Sequence, residues 1–85
     1  MPEKRTVYVV VYNDFDPFQT NVDVFSTMSK AAEQVKRMLN EAIEEQTCFE
    51  TIEPVYNPFG VLIYFSVKTV EELSYECFIR AETIQ

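Results

Sequence analysis

Only one stretch of this chain has the periodicity of an amphipathic helix, and this feature limits the fold more than any other. Between residues 27 and 46 the apolar side chains recur at intervals of three and four residues, which places them on one helix face. They are Met28, Ala31, Ala32, Val35, Met38, Leu39, Ala42 and Ile43. Ser26 or Thr27 can cap the start of this helix. Because one helix covers only one face of a sheet, the fold class depends on the number and pattern of the strands.

Five further segments have the alternation or the β-branched composition of strands. They are residues 6–12, 21–25, 48–56, 61–68 and 74–84. Pro54 indicates that the third of them is an edge strand, and residues 57–60 have the composition of a turn. The sequence therefore predicts a single α+β domain over residues 1–85, in the order β-β-α-β-β-β. We expect a mostly antiparallel sheet of four or five strands with the helix (about 27–46) on one face.

The residue types on which most enzymes depend are missing from the chain. Its 85 residues include no histidine and one glycine, which removes imidazole bases, imidazole ligands and glycine-rich phosphate loops. Asp14 and Asp16 beside Asn13 come nearest to a hard-cation site, but residues 13–17 also have the composition of a turn. We expect a turn at this position, no catalytic activity, and no cofactor or metal.

The chain is strongly acidic, with fourteen acidic residues against seven basic ones and a net charge of −7. This balance disfavours direct binding to nucleic acid or to anionic membranes, and it suits a basic protein partner. The alternative is that the carboxylates only keep the domain soluble. The acidic candidates for partner binding are Asp14, Asp16, Glu41, Glu44 and Glu45. The three glutamates fall near the negative end of the helix dipole, where basic residues are normally favoured.

The sheet face opposite the helix is the second candidate interaction surface. If Val7, Val9 and Val11 of the first strand and Val61, Ile63, Phe65 and Val67 of the fourth contact the helix, the alternation of the strands places a patch of aromatic and aliphatic side chains on the open side. This patch consists of Tyr8, Val10, Tyr12, Leu62, Tyr64 and Phe78. Homodimerisation is the favoured use of the patch, and a different protein partner is the alternative. A third interpretation is that loop 13–20 folds over this face with Phe15 and Phe18 and closes a small second core.

Two cysteines, Cys48 and Cys77, are too few for a disulfide framework or a zinc site. Each precedes a phenylalanine, which is typical of buried free thiols in an intracellular protein. A single bridge between them is the alternative if their strands are neighbours. The sequence shows no signal-peptide pattern and no apolar run long enough to span a bilayer, so we expect a cytoplasmic protein.

Residues 22–33 read Val-Asp-Val-Phe-Ser-Thr-Met-Ser-Lys-Ala-Ala-Glu and follow a strand rich in tyrosine and valine. This motif resembles small uncharacterised proteins of bacteria and phages, in which a first hairpin ends in Phe-Ser-Thr and enters a helix beginning with Lys-Ala. The resemblance covers residues 6–45. It implies a prokaryotic or phage accessory protein and assigns no role to any residue.

The expected function is that of a non-catalytic macromolecular interaction protein. One form of it is a phage-encoded acidic inhibitor or modulator, acting in the host cytoplasm on a basic host protein such as a nucleic-acid-binding protein. The alternatives are a structural or assembly accessory protein and a carboxylate-dependent metal-binding enzyme.

Overall fold

A computed structural model describes residues 5–16, 18–45 and 49–84 of the chain. Its elements are β1 (Arg5–Tyr12), β2 (Asn21–Phe25), α1 (Met28–Glu45), β3 (Phe49–Tyr56), β4 (Leu62–Thr69) and β5 (Ser74–Ile84). This order confirms the predicted α+β fold. Within the described residues, the bounds of the elements agree with the sequence patterns to within one residue.

The five strands form one sheet in the order β2-β1-β5-β4-β3, and every neighbouring pair is antiparallel. Strand β5 is therefore at the centre, while β2 and β3 are the edges. The edge position that Pro54 predicts for β3 is confirmed. Because neighbours run in opposite directions, the ends of β1 and β4 lie at the same end of the sheet as the starts of β3 and β5.

Helix α1 starts directly after Thr27, whose hydroxyl oxygen accepts a hydrogen bond of 3.2 Å from the backbone N–H of Lys30. This is the geometry of an N-cap, which assigns the capping role to Thr27. The helix packs on β1, β2, β4 and β5. Its apolar stripe and the sheet side chains beneath it form the core: Val10, Ala31, Val35, Met38, Leu39, Ala42, Leu62, Phe65, Val67, Tyr75 and Cys77.

The two faces of β1 are the reverse of those predicted. Val10 is fully buried in the core under α1, and Tyr8 and Tyr12 pack against the same core. The register explains this: Tyr12 pairs with Cys77, and the Cys77 sulfur lies 3.8 Å from the sulfur of Met38 on the helix. Paired residues in an antiparallel sheet share a face. Tyr8, Val10 and Tyr12 therefore face the helix, and their predicted placement on the open side was wrong.

On β4 the predicted faces were right for Tyr64, Phe65 and Val67 and wrong for Leu62. Phe65 and Val67 are fully buried beneath the helix, as predicted, but Leu62 belongs to the same core and is only 8% exposed. The register between β3 and β4 shifts near the start of β4, and Leu62 pairs with Tyr56 beyond this shift. The strict alternation that placed Leu62 on the open face does not extend through such an irregularity.

The loop after β1 does not close a second core over the open face. The ring of Phe15 packs edge-on against Tyr75 in the helix-side core, with 5.0 Å between the ring centroids. The side chain of Phe18 is 96% exposed. The interpretation in which Phe15 and Phe18 cover the open face is therefore wrong, because neither ring lies over that face.

Candidate interaction surfaces

The sheet face away from the helix carries an apolar row that crosses all five strands, which we call the apolar band. Successive strand pairings align its members side by side: Val22, Val11, Phe78, Tyr64 and Val55. Val24 and Val9 form a second apolar pair beside the band on β2 and β1. Of the six residues predicted on this face, Tyr64 and Phe78 are in the band.

The band is most exposed near the edges of the sheet. Val22 and Val55 expose 52% and 45% of their surface, and the neighbouring Val24 exposes 62%. Val9 is only 6% exposed, although it lies outside the core cluster. Helix α1 covers the opposite face. The burial of Val9 therefore comes from neighbouring side chains on its own face.

Sequence reasoning missed the valines of β1 and β2 in this surface. The alternation of β5 could have indicated these valines, because Glu76, Arg80 and Glu82 show which side of β5 faces solvent. Val9 pairs with Arg80 and Val11 pairs with Phe78, so both valines share that side. This link depends on the register between β1 and β5, and the local pattern of either strand does not specify that register.

Charged residues border the band on both sides along the central strand. Arg80 and Glu82 follow Phe78 towards one end, and the Arg80 Nε lies 2.6 Å from the Glu82 Oε1. Glu76 precedes Phe78 towards the other end, next to a shallow depression of about 150 Å³. The depression is lined by Val11, Tyr12, Asn13, Thr20, Glu76 and Phe78.

The acidic candidates converge on one end of the molecule. Burial raises the pKa of the Tyr75 hydroxyl, and among the smaller contributions the nearby charges of Asp14 and Glu41 raise it further. These two carboxylates come from the loop after β1 and from the helix, so the fold brings distant segments together. Glu44 and Glu45 are exposed in the last turn of α1, which contains no basic residue.

The loop that carries Asp14 and Asp16 is held by local hydrogen bonds. An Asp16 carboxylate oxygen accepts a bond of 2.9 Å from the N–H of Phe18, which confirms the predicted turn. Asn13 anchors the loop to β5, since its side-chain oxygen accepts a bond of 2.8 Å from the N–H of Glu76. Within residues 5–16, 18–45 and 49–84, no three acidic or cysteine side chains are grouped to hold a metal ion.

The sheet topology brings further acidic residues to this end. Glu71 and Glu72 lie in the turn between β4 and β5, while Glu50 and Glu76 lie near the starts of β3 and β5. Sequence reasoning missed these four residues because they are far apart in the chain. The antiparallel connections could have indicated their proximity. We call this region, together with Asp14, Asp16, Glu41, Glu44 and Glu45, the acidic end.

A groove lies on the helix side of the molecule, because α1 does not pack on β3. Its volume is about 580 Å³. The apolar part of its lining consists of Met28, Ala32, Leu39, Tyr56, Val61 and Leu62. Glu33 and Lys36 of the helix also line it. The groove is thus a second apolar surface, separated from the band by the thickness of the sheet.

Cys77 is expected to make the stability of the fold depend on alkaline pH. The residue is fully buried, and burial raises the pKa of its thiol to about 12. In the unfolded chain the thiol ionises near pH 8.5–9. The stability that the neutral buried thiol contributes is therefore complete below pH 8.5–9 and is lost as the pH rises towards 12.

We expect the thermal unfolding midpoint to fall between pH 9 and pH 12, and to fall less steeply in Cys77→Val. Thermal denaturation of both proteins across this range is the measurement. Equal slopes in the two proteins would contradict the assignment to Cys77. Cys77 is a free thiol, as expected. The alternative of a Cys48–Cys77 bridge required neighbouring strands, but β4 lies between β5 and β3. Cys48 itself lies outside the described residues.

Comparison of the chain with protein-family models, with curated proteins and with solved structures finds no match. Within the part of the chain that the structure describes, no helix has both the length and the apolar character needed to cross a membrane. The fold and its surfaces are therefore the basis for the functional proposal.

Proposed function

We propose that this protein is a non-catalytic interaction protein that works by binding another macromolecule. The observation that carries the proposal is the apolar band, which crosses five strands on a face that the helix does not cover. Val22 and Val55 of the band expose 52% and 45% of their surfaces there, and the neighbouring Val24 exposes 62%. Contiguous exposed apolar side chains bordered by polar residues are typical of protein interaction sites. The favoured use of the band is homodimerisation.

The acidic end is proposed to bind a basic protein in the cytoplasm. Nine of the fourteen acidic residues are grouped in the acidic end, with Lys68 as a basic neighbour, and the charges of Asp14 and Glu41 both raise the pKa of the same tyrosine. Such a concentration attracts and orients a basic surface during association. A nucleic-acid-binding protein is the class that fits, because its basic surface complements negative charge. The resemblance to phage proteins supports an inhibitor or modulator of a host protein of this class.

The test is capture of partners from a bacterial lysate on the immobilised protein, with matched charge variants. Glu44→Gln neutralises one exposed carboxylate in the acidic end. Glu33→Gln, the matched control, neutralises one exposed carboxylate of the same helix outside the acidic end. We expect the wild type and the second variant to retain a basic protein, and the first variant to retain several-fold less. Raising the salt from about 0.1 M to 1 M should release it, since the Debye length falls from about 10 Å to about 3 Å.

Retention that is indifferent to salt and equal in both variants would contradict electrostatic binding through the acidic end. A captured partner with an acidic isoelectric point would contradict it as well.

A structural or assembly accessory role is the second candidate. The observation that favours it is the groove of about 580 Å³, which lies on the opposite side of the sheet from the band. Two apolar surfaces on opposite sides of one domain allow each copy to contact two neighbours. Oligomers larger than a dimer on size-exclusion chromatography with light scattering would favour this role over the first.

A further inference from the structure

We infer that the apolar band is covered by a second copy of this chain, packed face to face about a two-fold axis that runs along the band, across the strands. This inference rests on the proposed function in one respect, namely that the band is a protein-binding surface. It goes further by naming the occupant of the band and its orientation.

The arrangement of charges on β5 supports this axis. Rotation about the band keeps each residue over its own strand and reverses its position along that strand. Arg80 lies two residues beyond Phe78 on one side, and Glu76 lies two residues beyond it on the other. Consecutive residues on one face of a strand are about 6.8 Å apart. The rotation therefore sets Arg80 of each copy opposite Glu76 of the other, giving two attractive contacts per dimer.

The other face-to-face arrangement has its axis parallel to the strands, and it is electrostatically unfavourable. Rotation about that axis preserves the position along β5, so Arg80 would face Arg80 and Glu76 would face Glu76. Like charges directly opposed across an interface are strongly disfavoured. The same charges thus favour one orientation and oppose the other.

A second pair of charges fits the same axis. Glu82 lies four residues beyond Phe78 and is set opposite Ser74 of the second copy. Ser74 pairs with Lys68 on the neighbouring strand. The Lys68 ammonium thus lies next to the position that Glu82 approaches. At this level the opposite charges lie on neighbouring strands, and Lys68 also lies 3.8 Å from the carboxylate of Glu50 in its own chain.

The shape of the face is also compatible with this orientation. The depression lies on the Glu76 side of the band, where Asn13 and Thr20 form part of its lining. Val24 lies on the opposite side of the band and is 62% exposed. The two-fold rotation therefore places Val24 of one copy over the Glu76 side of the other. An exposed apolar side chain therefore lies opposite a concave region.

The area of the face is sufficient for a stable dimer. The strands have 8, 5, 8, 8 and 11 residues, a mean length of about 27 Å, and at a spacing of about 4.8 Å they give a face of roughly 650 Å². Covering one such face on each copy buries roughly 1,300 Å² in total, which is within the range of about 1,200–2,000 Å² for specific interfaces. In the dimer, the two acidic ends point in opposite directions.

The test is charge reversal with rescue, measured as the dimer dissociation constant by sedimentation equilibrium at about 50 mM salt. We expect the wild type to dimerise, and Arg80→Glu and Glu76→Arg each to weaken the dimer by at least about tenfold, because each creates two repulsive contacts. The double variant Arg80→Glu/Glu76→Arg should restore the affinity to within about threefold of the wild type. Glu33→Arg, which makes the same charge change as Glu76→Arg but on the helix, should leave the dissociation constant unchanged.

A wild type that stays monomeric up to about 1 mM would overturn the inference, and so would a double variant no tighter than either single one. These outcomes are separable from failure of the proposed function. A monomer that still captures a partner through the band, and loses it in Val22→Lys/Val24→Lys, shows that the band has a different occupant. A dimer that captures no basic protein contradicts the role of the acidic end and leaves the dimer intact.

Discussion

Val10→Lys is expected to prevent folding, whereas Val24→Lys is expected to leave the domain folded. Both substitutions place the same side chain on adjacent strands. Val10 is fully buried beneath the helix, while Val24 is 62% exposed on the opposite face. Burying an unpaired ammonium group costs several kcal/mol, which is comparable with the whole stability of a small domain, about 5–15 kcal/mol. Far-UV circular dichroism and thermal denaturation of both variants are the measurements.

This pair also tests which side of β1 the helix covers. If the helix lay on the side of Val9 and Val11, a lysine at position 10 would reach solvent, and the variant would fold. A Val10→Lys protein with a cooperative transition close to that of Val24→Lys would therefore contradict the orientation of β1.

Phe65→Ala is expected to reduce the free energy of unfolding by about 3–5 kcal/mol, the usual cost of removing a buried aromatic ring. Phe65 is fully buried on β4, and its ring centroid lies 5.2 Å from that of Tyr75. The matched control is Phe59→Ala, since Phe59 is 90% exposed in the turn before β4. We expect the control to change the stability by no more than about 0.5 kcal/mol. Urea denaturation gives both values.

Equal effects of the two substitutions would mean that Phe65 is not part of the core. A further comparison with Phe65→Leu separates the loss of volume from the loss of the aromatic contact. Because leucine fills most of the space, we expect it to recover more than half of the lost stability.

The elements of this fold could be predicted from the sequence because each has a strong local signal. The three-and-four spacing from Met28 to Ile43 defines the helix, the turn at residues 57–60 separates β3 from β4, and Pro54 indicates an edge strand. These signals act over a few residues and need no knowledge of the tertiary structure. The chain order and the antiparallel sheet follow from them.

The faces of β1 could not be predicted in the same way. Val7, Val9 and Val11 are as apolar as Tyr8, Val10 and Tyr12, so the strand itself does not indicate which set faces the helix. The choice is made by pairing with β5, where Tyr75 and Cys77 enter the core. A shift of one residue in that pairing would exchange the two faces. The register depends on residues far apart in the chain, and the pattern of a single strand does not specify it. The predicted surface was wrong for this reason.

The acidic surface was predicted in part for a related reason. Glu41, Glu44 and Glu45 are neighbours on one helix, so their proximity is evident in the sequence. Their position near Asp14 depends on how the helix crosses the sheet, and the contributions of Glu50, Glu71 and Glu72 depend on the strand order. The composition indicates the sign of the charge, and the topology decides where it is concentrated.

The exposed edge of the sheet at β3 bears on how the protein resists aggregation. An open edge offers backbone groups to which strands of other molecules can add without limit, as in fibrils. Proline is tolerated on edge strands where its nitrogen faces solvent, so Pro54 interrupts the row of donors that an incoming strand needs. Glu50 and Glu53 add repulsion between two such edges, and the opposite edge, β2, has only five residues. Growth by addition of strands is thus disfavoured at both edges of the sheet.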